Sequence, residues 1–93
     1  MTKAEIVKAI ADERGIEKTQ VLAVVEAFME VVKKSLVAGE PVYLRGFGSF
    51  IIKHRAEKAA RNITRNTTIT IPEHNIPAFK PAKTFFEDVK ASK

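Results

Sequence analysis

The sequence predicts an α+β chain with two N-terminal helices, a sheet that runs out into a two-stranded arm, and a short C-terminal helix. Three observations carry this. Apolar residues recur at helical spacing from residue 3 to residue 37; β-branched and aromatic residues interrupted by glycine and proline follow from 42 to 81; and a last helical pattern begins at Lys83. With 93 residues, 45% of them hydrophobic and 29% charged, the composition is that of a folded chain near the lower size limit for a self-sufficient core. The expectation is one domain over 1–93, with a helical dimerisation region at 1–45, sheet and arm at 46–81, and the last helix at 82–93.

Thr2 followed by Glu5 forms a capping box, so the first helix is expected to begin at Lys3 and to end at Gly15. Ile6, Val7 and Ile10 supply its inner side. A second helix is expected from Lys18 to Val37, closed by Gly39 and Pro41. Its apolar residues, among them Val21, Val24, Val25, Phe28, Met29, Val31 and Val32, spread over roughly half the helix circumference, whereas a stripe about 100° wide serves one core. The surplus points to a second copy of the chain. Two helices around Gly15 also raise a helix-turn-helix, but the outer side of the second carries Glu26, Glu30, Lys33 and Lys34 and lacks the Arg and Asn cluster that reads base edges.

Val42 to Leu44 start a strand, and Gly46-Phe47-Gly48 marks a sharp turn or bulge around a buried ring, with Phe47 and Phe50 as core. Phe50 to about Arg61 is expected to form one limb of a hairpin and Thr67 to Ile71 the other, with the connection near Asn62-Ile63-Thr64-Arg65-Asn66. Ile76-Pro77-Ala78-Phe79 then returns as an edge strand, where proline's missing donor is tolerated. Phe85, Phe86 and Val89 form the packing face of the last helix.

The charge is lopsided. Residues 1–46 hold seven basic and seven acidic side chains, whereas residues 47–93 hold nine basic and four acidic and carry the whole net charge of +5. Lys53, Arg55, Lys58, Arg61 and Arg65 crowd one stretch against Glu57. Such a density suits a phosphate backbone, with an anionic membrane or a merely solvated face as the competing readings. Arg55, Lys58 and Arg61 can follow phosphates along the arm, and Arg65 can enter a narrow minor groove. Ile63 at the tip is an apolar side chain suited to wedge between base-pair steps. Lys53, Lys80, Asn62 and Asn66 complete the contacts on sheet and arm, and Lys3 and Lys83 can join phosphates at helix starts.

Cysteine is absent and two histidines alone do not make a structural zinc site, so no metal or cofactor is expected. His54 and His74 beside Glu57 or Glu73 offer an acid–base pairing, but one expected by chance on a polar surface, so no enzymatic reaction is expected. No apolar run approaches a membrane span and the first residues lack a signal-type apolar region; a cytoplasmic location is expected.

Gly46-Phe47-Gly48-Ser49-Phe50, Arg55, Arg61-Asn62, Ile71-Pro72, Pro77-Ala78-Phe79-Lys80-Pro81 and Lys83 together resemble the bacterial histone-like HU family, which includes integration host factor. The resemblance covers nearly the whole chain. It implies an intertwined homodimer, or a heterodimer with a related chain, whose helical base carries two β-ribbon arms that embrace the minor groove of double-stranded DNA. It implies DNA bending and nucleoid packaging without catalysis. The Ile-Pro and Pro-Ala-Phe-Lys-Pro pieces are more similar to the HU branch, with little sequence preference, than to the site-directed integration host factor branch. A dimeric protein–protein interaction module using the basic arm is the rival from another class. Three departures stand out: Ile63 where the family normally has proline, Arg65-Asn66-Thr67 where it commonly has Thr-Gly-Glu, and Ala82 where it usually has glycine. The first implies a shallower kink, and the second an arm end two charges more positive than the usual pattern.

Overall fold

The computed structural model describes residues 1–62 and 67–92, with residues 61 and 62 placed by their backbone. It contains α1 (Lys3–Arg14), α2 (Lys18–Val37), β1 (Val42–Leu44), β2 (Gly48–Arg55), β3 (Lys58–Asn62), β4 (Thr67–Ile71), β5 (His74–Pro81) and α3 (Lys83–Ala91). The chain divides into two compact units, Met1–Ser35 and Leu36–Lys93.

In the first unit, local chemistry sets the helix ends. Thr2 Oγ1 accepts from the Glu5 amide at 3.2 Å and donates to Glu5 Oε1 at 3.2 Å, so the box closes hydroxyl to carboxylate. Gly15 takes the left-handed conformation at φ 67°, and its N–H donates to the Ala11 carbonyl at 2.9 Å, as the end of α1 requires. Val7, Ala11 and Val21 are buried together, with Ile10, Leu22 and Val25 packed around them. Ile6 is exposed instead, and Ala11, one turn beyond Val7, takes the inner position. Lys8 and Asp12, one turn apart on α1, pair at 2.7 Å; that hydrogen bond raises the Lys8 ammonium and lowers the Asp12 carboxyl from their ordinary values. On α2, Val24 and Val31 are 68% and 66% exposed, and Phe28 and Met29 are also exposed. The apolar arc is therefore only partly used within one chain.

In the second unit, β1, β2 and β5 form an antiparallel sheet in that order, and β3 and β4 form a separate two-stranded ribbon. The ladder of β2 on β5 runs from Gly48 opposite Pro81 to Arg55 opposite His74. It then lapses across residues 56–57 and 72–73 and resumes from Lys58 opposite Ile71 to Asn62 opposite Thr67. Each partner pair on either side of the gap sits in the same register, so ribbon and sheet edge are two stretches of one long hairpin. Pro72, which has no N–H to donate, lies in the gap. The hairpin expected from Phe50 to Arg61 against Thr67 to Ile71 is thus corrected: only 58–62 pair with 67–71, while 50–55 pair with 74–79. β5 holds eight residues despite Pro77 and Pro81 because it is the edge of its sheet.

Alternation along the strands gives the sheet two chemically distinct faces. Phe50 and Phe79 lie opposite one another on one face, their ring centroids 5.1 Å apart. Phe47, from the turn, meets Phe79 at 5.1 Å and stacks on Phe85 of α3 at 5.6 Å. Gly46, at φ 79°, makes the turn that delivers Phe47, and the Phe47 carbonyl accepts from the Ala82 amide at 2.9 Å, tying the turn to the start of α3. Phe47 is less enclosed than the core role expects, at 45% exposed. Phe86 and Val89 do not pack within the chain either: both are more than half exposed and, with Phe79, Pro81 and Phe85, line an open apolar cleft. Only Phe85 fulfils the packing expected of α3.

Candidate nucleic-acid interface

The cations gather on the sheet face away from the phenylalanines. Tyr43 pairs with Ser49, and Ser49 with Lys80, which makes one row across all three strands. Two and three strand steps further along β2 on the same parity come Lys53, opposite Ile76, and Arg55, opposite His74. Lys53, Arg55 and Lys80 are exposed and share this face, so three positive charges line a surface whose reverse carries the Phe50–Phe79 contact. At its α3 end the surface becomes a cleft lined by Tyr43, Leu44, Arg45, Gly46, Gly48, Ser49, Lys80, Pro81 and Ala82. Arg45 and Ser49 in that cleft were not among the expected contacts. Their signal lay in the sequence, since a guanidinium beside a turn glycine and a hydroxyl three residues after it are suited to a phosphate.

Lys83 is the first residue of α3 and exposed, and Ala82 caps that helix without a side-chain hydrogen bond. The first-turn amides are therefore left to other acceptors. Gly48 is buried where β2 passes close to β5: a Cβ there would stand 2.6 Å from the Lys80 carbonyl oxygen and 2.6 Å from Phe79 Cζ.

On the ribbon, Lys58 shares a face with Ala60, Ile69 and Ile71, and Ile69 and Ile71 are exposed. Lys58 therefore does not continue the row of Lys53 and Arg55, which lies on the other parity of β2. Arg61 and Asn62 are placed by register, opposite Thr68 and Thr67. Ile63, Arg65 and Asn66 lie outside the described residues. Lys3, in the first unit, pairs with Glu26 at 3.3 Å. His54 Nε2 lies 3.3 Å from Glu73 Oε2, so the geometry selects one of the histidine–glutamate pairings; His74 instead donates through Nδ1 to the Pro72 carbonyl at 2.9 Å. Both histidines stand at the surface rather than in a cleft.

A basic sheet face continued by a two-stranded ribbon is an arrangement compatible with the strand-based readers of DNA grooves. The profile of the bacterial DNA-binding protein family matches residues 1–90. The chain is 37% identical over 90 residues to DNA-binding protein HU of Thermotoga maritima, covering 97% of this chain and 100% of the relative. It is 38% identical over 90 residues to DNA-binding protein HU-alpha of Salmonella typhimurium, with the same coverage. Among solved structures, an Anabaena HU–DNA cocrystal structure superposes with a TM-score of 0.92 at 36% identity, covering 99% of this chain and 100% of that one. The chain belongs to the bacterial DNA-binding protein family, within its HU group of non-catalytic DNA-binding proteins.

Proposed function

We propose that this chain acts as a homodimer that clasps double-stranded DNA through the minor groove, bends it, and compacts it in the cytoplasmic nucleoid with little sequence preference. The observation that carries this reading is the long hairpin formed by β2, β3, β4 and β5, whose sheet end bears Lys53, Arg55 and Lys80 and whose ribbon end bears Lys58, Arg61 and, beyond the described residues, Ile63 and Arg65. A ribbon of two strands is marginally stable on its own in water, and a polyanion that binds it supplies the missing order. The likeness to a structure of HU with DNA supports the same partner.

Dimerisation is supported by apolar surface left over in each unit. Val24, Phe28 and Val31 on α2, and Phe86 and Val89 on α3, are more exposed than a lone small chain tolerates without a partner. A heterodimer with a related chain would use the same surfaces. Lys3, Lys83 and the cleft around Arg45 are assigned to flanking phosphates, and Asn62 and Asn66 to the groove beside the tip. In this reading specificity comes from the bending cost of each sequence rather than from base edges.

Ile63 is assigned the wedge. It keeps an apolar group where its family normally carries proline but lacks the fixed ring. Ile63→Ala is expected to lower the bend angle of a bound short duplex clearly while weakening affinity by less than about tenfold, since phosphate contacts dominate affinity. Fluorescence resonance energy transfer across the duplex ends, read beside a titration, checks this. An unchanged bend would remove the wedge from Ile63.

A further inference from the structure

We propose that the free edge of β4 is a docking strand for the β4 of a second copy of this chain, so that two ribbons join edge to edge into one four-stranded sheet when no DNA holds them. Among the described residues β3 and β4 form a sheet of two, so each has one edge without a strand partner. Such an edge is a template for another strand, and proteins ordinarily blunt it by shortness, lysine or proline. The other open edges are blunted in this way. β1 has three residues and follows Pro41, β3 carries Lys58 and Arg61, and β5 carries Pro77, Lys80 and Pro81. β4 has no such guard. Its five residues, Thr67-Thr68-Ile69-Thr70-Ile71, are all β-branched, uncharged and exposed.

The sequence of β4 suits its own copy. An antiparallel pairing about a twofold axis at Ile69 sets Ile69 against its equivalent, Thr67 against Ile71, and Thr68 against Thr70. Ile69 lies opposite Ala60 within the ribbon, so the axis creates an apolar row of Ala60, Ile69, Ile69 and Ala60 across four strands. Ile69 and Ile71, 50% and 40% exposed in the single chain, gain cross-strand neighbours there, and on the other face threonine meets threonine. Charge selects this edge over the other. Pairing through β4 leaves Lys58 and Arg61 on the two outer strands, whereas pairing through β3 would bring the cations of both copies onto adjacent strands. Pro72, directly after β4, has no N–H to donate and limits the pairing to these five residues.

Two strands alone are marginal in water, while a wider sheet with an apolar face is stable, so the pairing supplies order to a ribbon that is free of DNA. The contact is small. One short strand per copy buries far less than the roughly 1,200 Å² of a stable protein–protein interface, so the association is weak and belongs near millimolar concentration. Its displacement by DNA rests on the function proposed above, whereas the pairing itself is a property of the free protein.

The test measures amide hydrogen-exchange protection and sedimentation velocity of the free, full-length protein at about 10 μM and about 1 mM. Protection at residues 67–71 is expected to rise about twofold or more at the higher concentration, with β2 and β5 unchanged and a species larger than the dilute one in sedimentation. Ile69→Lys and Ile69→Glu each set like charges face to face on the axis and should abolish that step, and an equal mixture of the two variants should regain it. A wild-type protein without the step, a step kept by either variant alone, or a mixture that fails to regain it overturns the pairing. Adding a short duplex to the wild type should convert the larger species into separate duplex-bound molecules. If the larger species persists with duplex bound, the edge pairing stands and the insertion of the ribbon into the groove falls.

Discussion

Raising monovalent salt from about 50 mM to about 200 mM is expected to weaken duplex binding by about 10³- to 10⁵-fold, the loss that accompanies release of counterions from about six to ten phosphates. The charge arrangement sets this size. Lys53, Arg55 and Lys80 share one sheet face, Lys58 and Arg61 lie on the ribbon, and Lys83 opens α3 where the first-turn amides have no side-chain cap. Lys3 contributes less, because Glu26 already holds its ammonium at 3.3 Å and a phosphate must displace that carboxylate. A plot of log affinity against log salt should be straight, with a slope of about −5 to −9 for that number of phosphates. Lys53→Gln and Lys80→Gln should each make the slope shallower by about one and weaken all sequences alike. Fluorescence anisotropy on labelled duplexes reads both quantities. An affinity nearly independent of salt would match a protein-docking module instead, since apolar interfaces survive high salt.

The second large effect is structural. Gly48→Ala is expected to destabilise the protein by about 2–3 kcal/mol, near the upper end for overpacking a tight site. The added methyl would meet the Lys80 carbonyl oxygen at 2.6 Å and Phe79 Cζ at 2.6 Å, well inside van der Waals contact. Neither neighbour yields easily. The carbonyl is part of β5, held by the ladder between β2 and β5, and the Phe79 ring is fixed by Phe47, Phe50 and Phe85 around it. Gly39→Ala is the contrast: its φ of 86° strains any side chain, but a Cβ there meets nothing within 4 Å, so the cost is expected to be about 1 kcal/mol. Thermal unfolding should separate the two, with Gly48→Ala lowering Tm by about 10–20 °C for a domain of this size and Gly39→Ala by less than half as much. A Gly48→Ala protein as stable as the parent would mean that β2 and β5 lie further apart than described.

The helices were the most legible part of the sequence, because their ends are written in local chemistry. Thr2, Glu5 and Gly15 bracket α1 without help from the rest of the fold, and Gly39 and Pro41 do the same after α2. The inner face was less legible. Ile6 is larger and more apolar than Ala11, yet the 100° step of the helix turns Ala11 inward beside Val7, and hydropathy alone ranks the two the other way. The strands are legible locally, but their pairing is not. Local preference says that 50–55 and 67–71 are extended, whereas the partners of 50–55 lie 19 to 29 positions further along the chain, beyond any short window.

The site was legible as charge and not as arrangement. The excess of cations after residue 46 identified the basic half of the chain. Counting charges could not reveal that Lys53, Arg55 and Lys80 share a face while Lys58 sits with Ile69 and Ile71, because parity depends on where the ladder runs. The same holds for Arg45 and Ser49, which become part of a basic cleft only when β1, β2 and β5 align Tyr43, Ser49 and Lys80 in a row. His54 and Glu73 are 19 positions apart, and only the hairpin register brings them together.

The measurement that bears most directly on the whole account is hydrogen exchange of the protein with and without a short duplex at low salt. If the long hairpin is the DNA-binding element, added duplex slows exchange most at residues 58–62 and 67–71, next at the basic row of β2 and β5, and least on the outer side of α2. Strong protection confined to α1 and α2, with the ribbon exchanging as fast as in the free protein, would contradict it.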